Sequence, residues 1–74
     1  MTIYEFNALP ADESAAVAMQ GNFVDVRFEE NLKVALYSHP DFYAEVFYDG
    51  KTNRIVRSRA FTSIKPLAAY IHLD

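Results

Sequence analysis

The side chains able to do chemistry are few and scattered. There are two histidines, His39 and His72, and no cysteine. A zinc-type site needs several His, Cys or carboxylate ligands converging on one point. His39 stands in the turn-like run Ser38-His39-Pro40-Asp41, and His72 stands two residues before the last residue, Asp74. Neither has sequence neighbours that complete a ligand set, so no metal and no cofactor is expected. Covalent catalysis needs Ser or Cys beside a base. Ser14 falls inside a helical run, Ser38 in a turn, Ser58 in a strand and Ser63 at a helix start, and each has a structural use. Gly21 and Gly50 are the only glycines, so no glycine-rich loop cradles a phosphate. Asp12-Glu13 and Glu29-Glu30 are paired carboxylates. The first pair suits the positive end of a helix dipole, and the second suits a solvated turn. No enzymatic activity is expected from this inventory.

One surface is richer. Phe42 to Tyr48 and Arg54 to Phe61 are two β-prone arms around Asp49-Gly50-Lys51-Thr52-Asn53. Asp, Gly and Asn tolerate the positive φ of a tight reversal. Read as a loop from Asp49 to Asn53, this run sets Val46 opposite Val56 and Ala44 opposite Ser58 on one face. On the other face Phe47 meets Ile55, Glu45 meets Arg57 and Tyr43 meets Arg59. The first face is small and apolar, as a surface under helices should be. The second gathers aromatic and arginine side chains, the types enriched at interface cores. Tyr37, Tyr43, Glu45, Phe47, Ile55, Arg57, Arg59 and Phe61 therefore form the candidate interaction face, with Arg27 and Lys33 beside them.

Two functions fit such a face. The first is a non-enzymatic interaction module that binds a protein partner or a second copy of itself. The alternative is a small binder of single-stranded nucleic acid. Tyr37, Tyr43 and Phe47 would stack bases, and Arg54, Arg57 and Arg59 would hold phosphates. A net charge of −3 opposes the alternative, because the field of the whole molecule repels phosphate.

The elements that position this face follow from periodicity. Thr2 to Asn7 is β-prone and short, either an edge strand or an arm whose Tyr4 and Phe6 pack on the first helix. Leu9-Pro10 starts that helix, with Ala11, Ala15, Ala16, Val17, Ala18 and Met19 as its body and Gly21 just past its end. Val24, Val26 and Phe28 alternate with Asp25 and Arg27, a half-buried strand. Glu29-Glu30-Asn31 is a turn, and Leu32, Val34 and Leu36 mark the next strand. With His39-Pro40-Asp41 as the loop, Val34 meets Val46, Leu36 meets Ala44, and Tyr37 meets Tyr43 on the outside. After the hairpin, Thr62 or Ser63 caps a last helix with an apolar stripe of Ile64, Leu67, Ala68 and Ile71, flanked by Tyr70. The order α-β-β-β-β-α with short connections predicts an α+β fold: a four-stranded antiparallel meander with the N-terminal and C-terminal helices packed on one face.

The run Phe42-Tyr43-Ala44-Glu45-Val46-Phe47-Tyr48-Asp49, then Asn53, Ile55, Arg59-Ala60-Phe61, Leu67 and Tyr70, resembles short uncharacterised bacterial proteins of similar size. The likeness covers most of the chain from Gly21 onward. It implies one compact domain and carries over no functional residue.

Length sets the remaining limits. A chain of 74 residues is one domain. It buries only about 60–65% of its unfolded surface, and it has no disulfide to add stability. Hydrophobic residues make up 51% and aromatic residues 15% of the chain, too many for a disordered one. No secretory signal is read at the N-terminus. No apolar run approaches the roughly 20 residues that span a bilayer. A soluble cytoplasmic protein with no membrane partner is expected.

Overall fold

The computed structural model describes residues 1–70. Two short helices, α1 (Ile3–Asn7) and α2 (Ala11–Ala18), precede four strands: β1 (Asn22–Glu29), β2 (Leu32–Ser38), β3 (Tyr43–Asp49) and β4 (Ile55–Phe61). A 3₁₀ helix follows at Lys65–Tyr70. The strands form one antiparallel sheet in the order β1-β2-β3-β4, the α+β meander that the alternation predicts.

The N-terminal segment is neither a strand nor an arm. Thr2 and Glu5 form a capping box: Glu5 N–H donates to Thr2 Oγ1 at 3.1 Å, and Thr2 N–H donates to Glu5 Oε1 at 2.9 Å. These reciprocal bonds satisfy donors that a helix start otherwise leaves open, and they outweigh the β preference of Ile3, Tyr4 and Phe6. Phe6 is then fully buried, and its ring lies 5.6 Å from that of Phe42. The alanines of α2 act as expected. Ala15 and Ala18 have no exposed surface and pack in one core with Phe6, Ala44, Val46 and Ala60.

Register differs from the sequence expectation in both later hairpins. Between β2 and β3 the connection is one residue longer than His39-Pro40-Asp41, because Phe42 leaves the strand. Its ring stacks on His39 at 4.7 Å, and its carbonyl accepts the His39 N–H at 2.8 Å. The slip pairs Ala35 with Val46, Tyr37 with Ala44, Leu36 with Glu45 and Val34 with Phe47. A one-residue slip moves every side chain to the other face. Val34 and Leu36 thus leave the face of Val46, and Tyr37 and Lys33 join it.

In the last hairpin the pairs are Val46 with Ser58, Glu45 with Arg59, Phe47 with Arg57, Ala44 with Ala60 and Tyr43 with Phe61. This is a two-residue shift from the expected pairing, so the faces of β3 keep their expected partners' parity. Val56 is extra to the ladder, and Ile55 pairs with Tyr48 instead of Phe47. The turn is closed by Asp49. Its N–H donates to the Arg54 carbonyl at 2.8 Å, and its carboxylate accepts the N–H groups of Lys51 and Thr52. Asn53 carries the positive φ, at 59°, and Gly50 does not. Gly50 is needed for proximity: a Cβ there would stand 2.6 Å from the Asn31 carbonyl oxygen, which accepts the Gly50 N–H.

The sheet therefore has two apolar faces, and this redistributes its cover. α1 and α2 pack against β3 and β4 on the Val46 side. The closing segment is 3₁₀ rather than α-helical, and its Tyr70 reaches Glu45 on the opposite face. The expectation that the C-terminal helix shares a face with the N-terminal one is corrected: Val34, Leu36 and Phe47 make a second apolar surface that needs cover of its own. Ser63 still caps, its Oγ accepting the Lys65 N–H at 3.2 Å. Ile71 and His72 lie outside the described residues. Among the described residues no helix is long and apolar enough to cross a membrane.

Candidate functional site

Tyr43, Glu45, Phe47, Arg57, Arg59 and Phe61 share one sheet face, as the alternation predicts. The centre of that face is closed. Glu45 has no exposed surface and Phe47 is 1% exposed. Three donors converge on the Glu45 carboxylate: Arg59 Nε at 2.6 Å, the Tyr70 hydroxyl at 2.5 Å and Arg27 Nη2 at 3.3 Å. Arg27 also holds Glu29 at 2.6 Å, which keeps the Glu29 carboxyl below the ordinary carboxylate range. The Arg57 guanidinium lies over the Phe47 ring, 4.0 Å from its centroid, and Arg27 and Arg59 stand at 5.9 Å. Tyr43 and Phe61 stack at the end of the face, 5.9 Å apart.

This arrangement holds structure together, with the Glu45 carboxylate engaged by its three donors. A buried carboxylate persists only when its partners replace water. Here two guanidinium groups and a phenol do so. Burial, and then the hydrogen bond to Glu45, push the Tyr70 phenol well above its ordinary value, so it stays protonated and donating. Sequence spacing gave no sign of the Tyr70–Glu45 bond, because it closes across the two ends of the last three elements.

Two members of the expected face lie elsewhere. Tyr37 is half-buried on the Val46 side, packed against the edge of the core there. Ile55 is carried by the extra residue Val56 into the row of Tyr48. Lys33, placed beside that face in the sequence reading, also lies on the Val46 side, paired with Tyr48. Arg54 lies in the loop region outside β4 and is exposed. His39 is engaged in packing: its Nε2 is 3.0 Å from the Ala18 carbonyl oxygen at the end of α2. No three His, Asp or Glu side chains come together as a metal site among the described residues.

The open surface is the half of the Val46 face that runs over β1 and β2. An eight-residue helix such as α2 is about 12 Å long, whereas the strands run roughly 24–27 Å. Among the described residues, two short helices seated on β3 and β4 leave the other half uncovered. Phe23 and Phe28 are 61% and 76% exposed there. Phe23 meets Tyr37 edge-on at 5.9 Å. A groove of about 410 Å³ runs between Phe23 and Tyr37 at one end and Lys33, Tyr48 and Asn53 at the other, with Ala35 and Val26 between. Burial, with Tyr37 nearby, raises the Tyr48 phenol above its ordinary value. The missed signal was compositional: a helix of alanines and one valine offers too little apolar surface to cover Phe23, Val26 and Phe28 as well as β3 and β4.

Comparison with protein families, with curated proteins and with solved structures finds no match for this chain.

Proposed function

We propose that this chain is a small non-enzymatic protein-interaction module, and that its docking surface is the uncovered β1–β2 half of the Val46 face. The observation that carries the reading is the exposure of Phe23 and Phe28 on one side of the sheet, next to the half-buried Val26 and Tyr37. Contiguous exposed aromatic surface on a small protein marks an interaction site more often than single scattered residues do. At the centre of the surface first read from sequence, Glu45 and Phe47 are buried within the chain, while Arg57 stays exposed and Tyr43, Arg59 and Phe61 half-buried. The larger exposed aromatic side chains, Phe23 and Phe28, favour β1–β2 over β3–β4 as the docking surface.

The nucleic-acid alternative finds no support in the geometry. Phe47 is buried under Arg57, and Tyr37 and Tyr43 sit on opposite faces, so the three aromatics do not form one stacking platform. A photo-crosslinking residue in place of Phe28 tests the docking reading directly. It should give protein adducts that the same residue in place of exposed Glu13 on α2 does not. Adducts at twice the chain mass identify a second copy, and other masses identify a foreign partner. No adduct at position 28, or equal adducts at both positions, would sink the reading.

A further inference from the structure

The groove over β2 has a lining that a docking face does not require. Its floor is Ala35, a methyl group set among larger neighbours. Along β2, Tyr37 stands on one side of Ala35 and Lys33 on the other, and all three point to the same face. Residues four apart along a strand are separated by about 13 Å. Ala35 therefore leaves a slot between an aromatic wall, Phe23 against Tyr37, and a polar end, Lys33 beside Tyr48. The volume of about 410 Å³ is within the usual range for small-molecule sites, which are largely apolar with a few placed polar groups.

The polar groups of the lining carry a single charge, and it is positive. Lys33 brings an ammonium, Asn53 an amide and the two tyrosines hydroxyls, and the groove lining includes no carboxylate. In a chain of net charge −3, the lining therefore sets one cation and no anion at the end of an apolar slot. We propose that the groove binds a small planar organic anion, an aromatic carboxylate, with its ring on Ala35 and Val26 against Phe23 and Tyr37, and its carboxylate at Lys33. The ring gains apolar contact, edge-to-face geometry with the wall, and a slot length that suits one or two fused rings plus a carboxylate. The carboxylate replaces water at Lys33 with a charge-assisted bond. This goes beyond the docking reading, since a free molecule occupies the floor without a protein partner.

Titration with naphthoate, followed in amide-proton NMR spectra, tests it. Saturable shifts should appear in β1 and β2 around Val26, Ala35 and Tyr37, and not around Arg57 and Arg59. Naphthamide, equal in shape and uncharged, should bind the parent roughly tenfold more weakly. Lys33→Met should bring the two molecules to equal affinity. Ala35→Leu should fill the slot and abolish both. Ala35 is only 5% exposed, so that variant is checked for a native far-UV spectrum, and Lys33→Met, on an exposed residue, carries the test if it misfolds. Shifts that do not saturate, shifts centred on the arginines, or equal binding of acid and amide by the parent would each overturn the proposal. Failure here leaves crosslinking at position 28 unaffected, so the two readings fail separately.

Discussion

Glu45 shows how one residue decides the use of a whole face. Read as one partner of an exposed acid–base pair, it belongs to an interaction surface. With Arg59, Arg27 and Tyr70 all bonded to it and no surface exposed, it is the polar centre of a second core. Removing one partner of a buried charge cluster leaves the rest uncompensated, so Glu45→Ala should destabilise by about 3–5 kcal/mol, read from denaturant melts. Phe47→Glu should unfold the chain for a related reason: it places a second carboxylate under Arg57 where an apolar ring fills the space. A folded, cooperative Phe47→Glu protein would show that this face opens readily. Tyr70→Phe is milder, costing about 1 kcal/mol, because the phenol is partly exposed and its bond is partly screened. That cost depends on pH. The folded phenol is raised above its unfolded value of about 10. Its contribution is therefore full below that pH and is lost as pH rises toward the folded value. The stability gap between parent and Tyr70→Phe should shrink in alkaline melts, and a gap that widens there would mean Tyr70 is not donating to Glu45.

At the scale of elements, what the sequence made legible and what it hid have distinct causes. Alternation located all four strands, because period two is set by local geometry and needs no partner. Register was not legible, because it depends on what each turn does with one residue. Phe42 continues the apolar pattern of β3, yet its ring is drawn out of the strand by Phe6 and His39. No local signal distinguishes a strand-starting Phe from one that belongs to a helix–loop core. The first helix was hidden differently: the Thr2–Glu5 spacing was present, but the β-prone residues between masked it. Thr2→Ala should cost about 1 kcal/mol and loosen Phe6, seen as faster amide exchange in α1. No change on that substitution would make the capping box incidental. The Gly50 turn was placed correctly with the wrong mechanism. Gly50→Val should weaken the fold well beyond Lys51→Ala, since any Cβ at Gly50 meets the Asn31 carbonyl at 2.6 Å. Equal melting temperatures for the two variants would mean that the β1–β2 turn yields easily to a side chain.

Among the described residues, the molecule is one sheet with incomplete cover. Helices occupy β3 and β4 on one side, Tyr70 and three arginines shield the other, and β1–β2 stays open under Phe23 and Phe28. The candidate surface was legible in kind, since aromatic residues beyond the needs of a small core do reach solvent. It was not legible in place, because a one-residue slip exchanges the faces of β2. An open aromatic surface has a thermodynamic consequence that does not require knowing its partner. Whatever binds the folded state and not the unfolded one raises the melting temperature by mass action. If the partner is a second copy, the melting temperature of the parent should climb by several degrees over a roughly hundredfold rise in its own concentration, given about 4–8 °C per kcal/mol for a chain this small. Phe28→Glu should remove that dependence and leave the dilute melting temperature nearly unchanged, because Phe28 is 76% exposed and supports little of the core. A parent whose melting temperature is flat with concentration excludes self-association and leaves a foreign protein as the occupant. A Phe28→Glu chain that melts many degrees lower even when dilute would place Phe28 in the core, and the docking surface would have to be sought elsewhere.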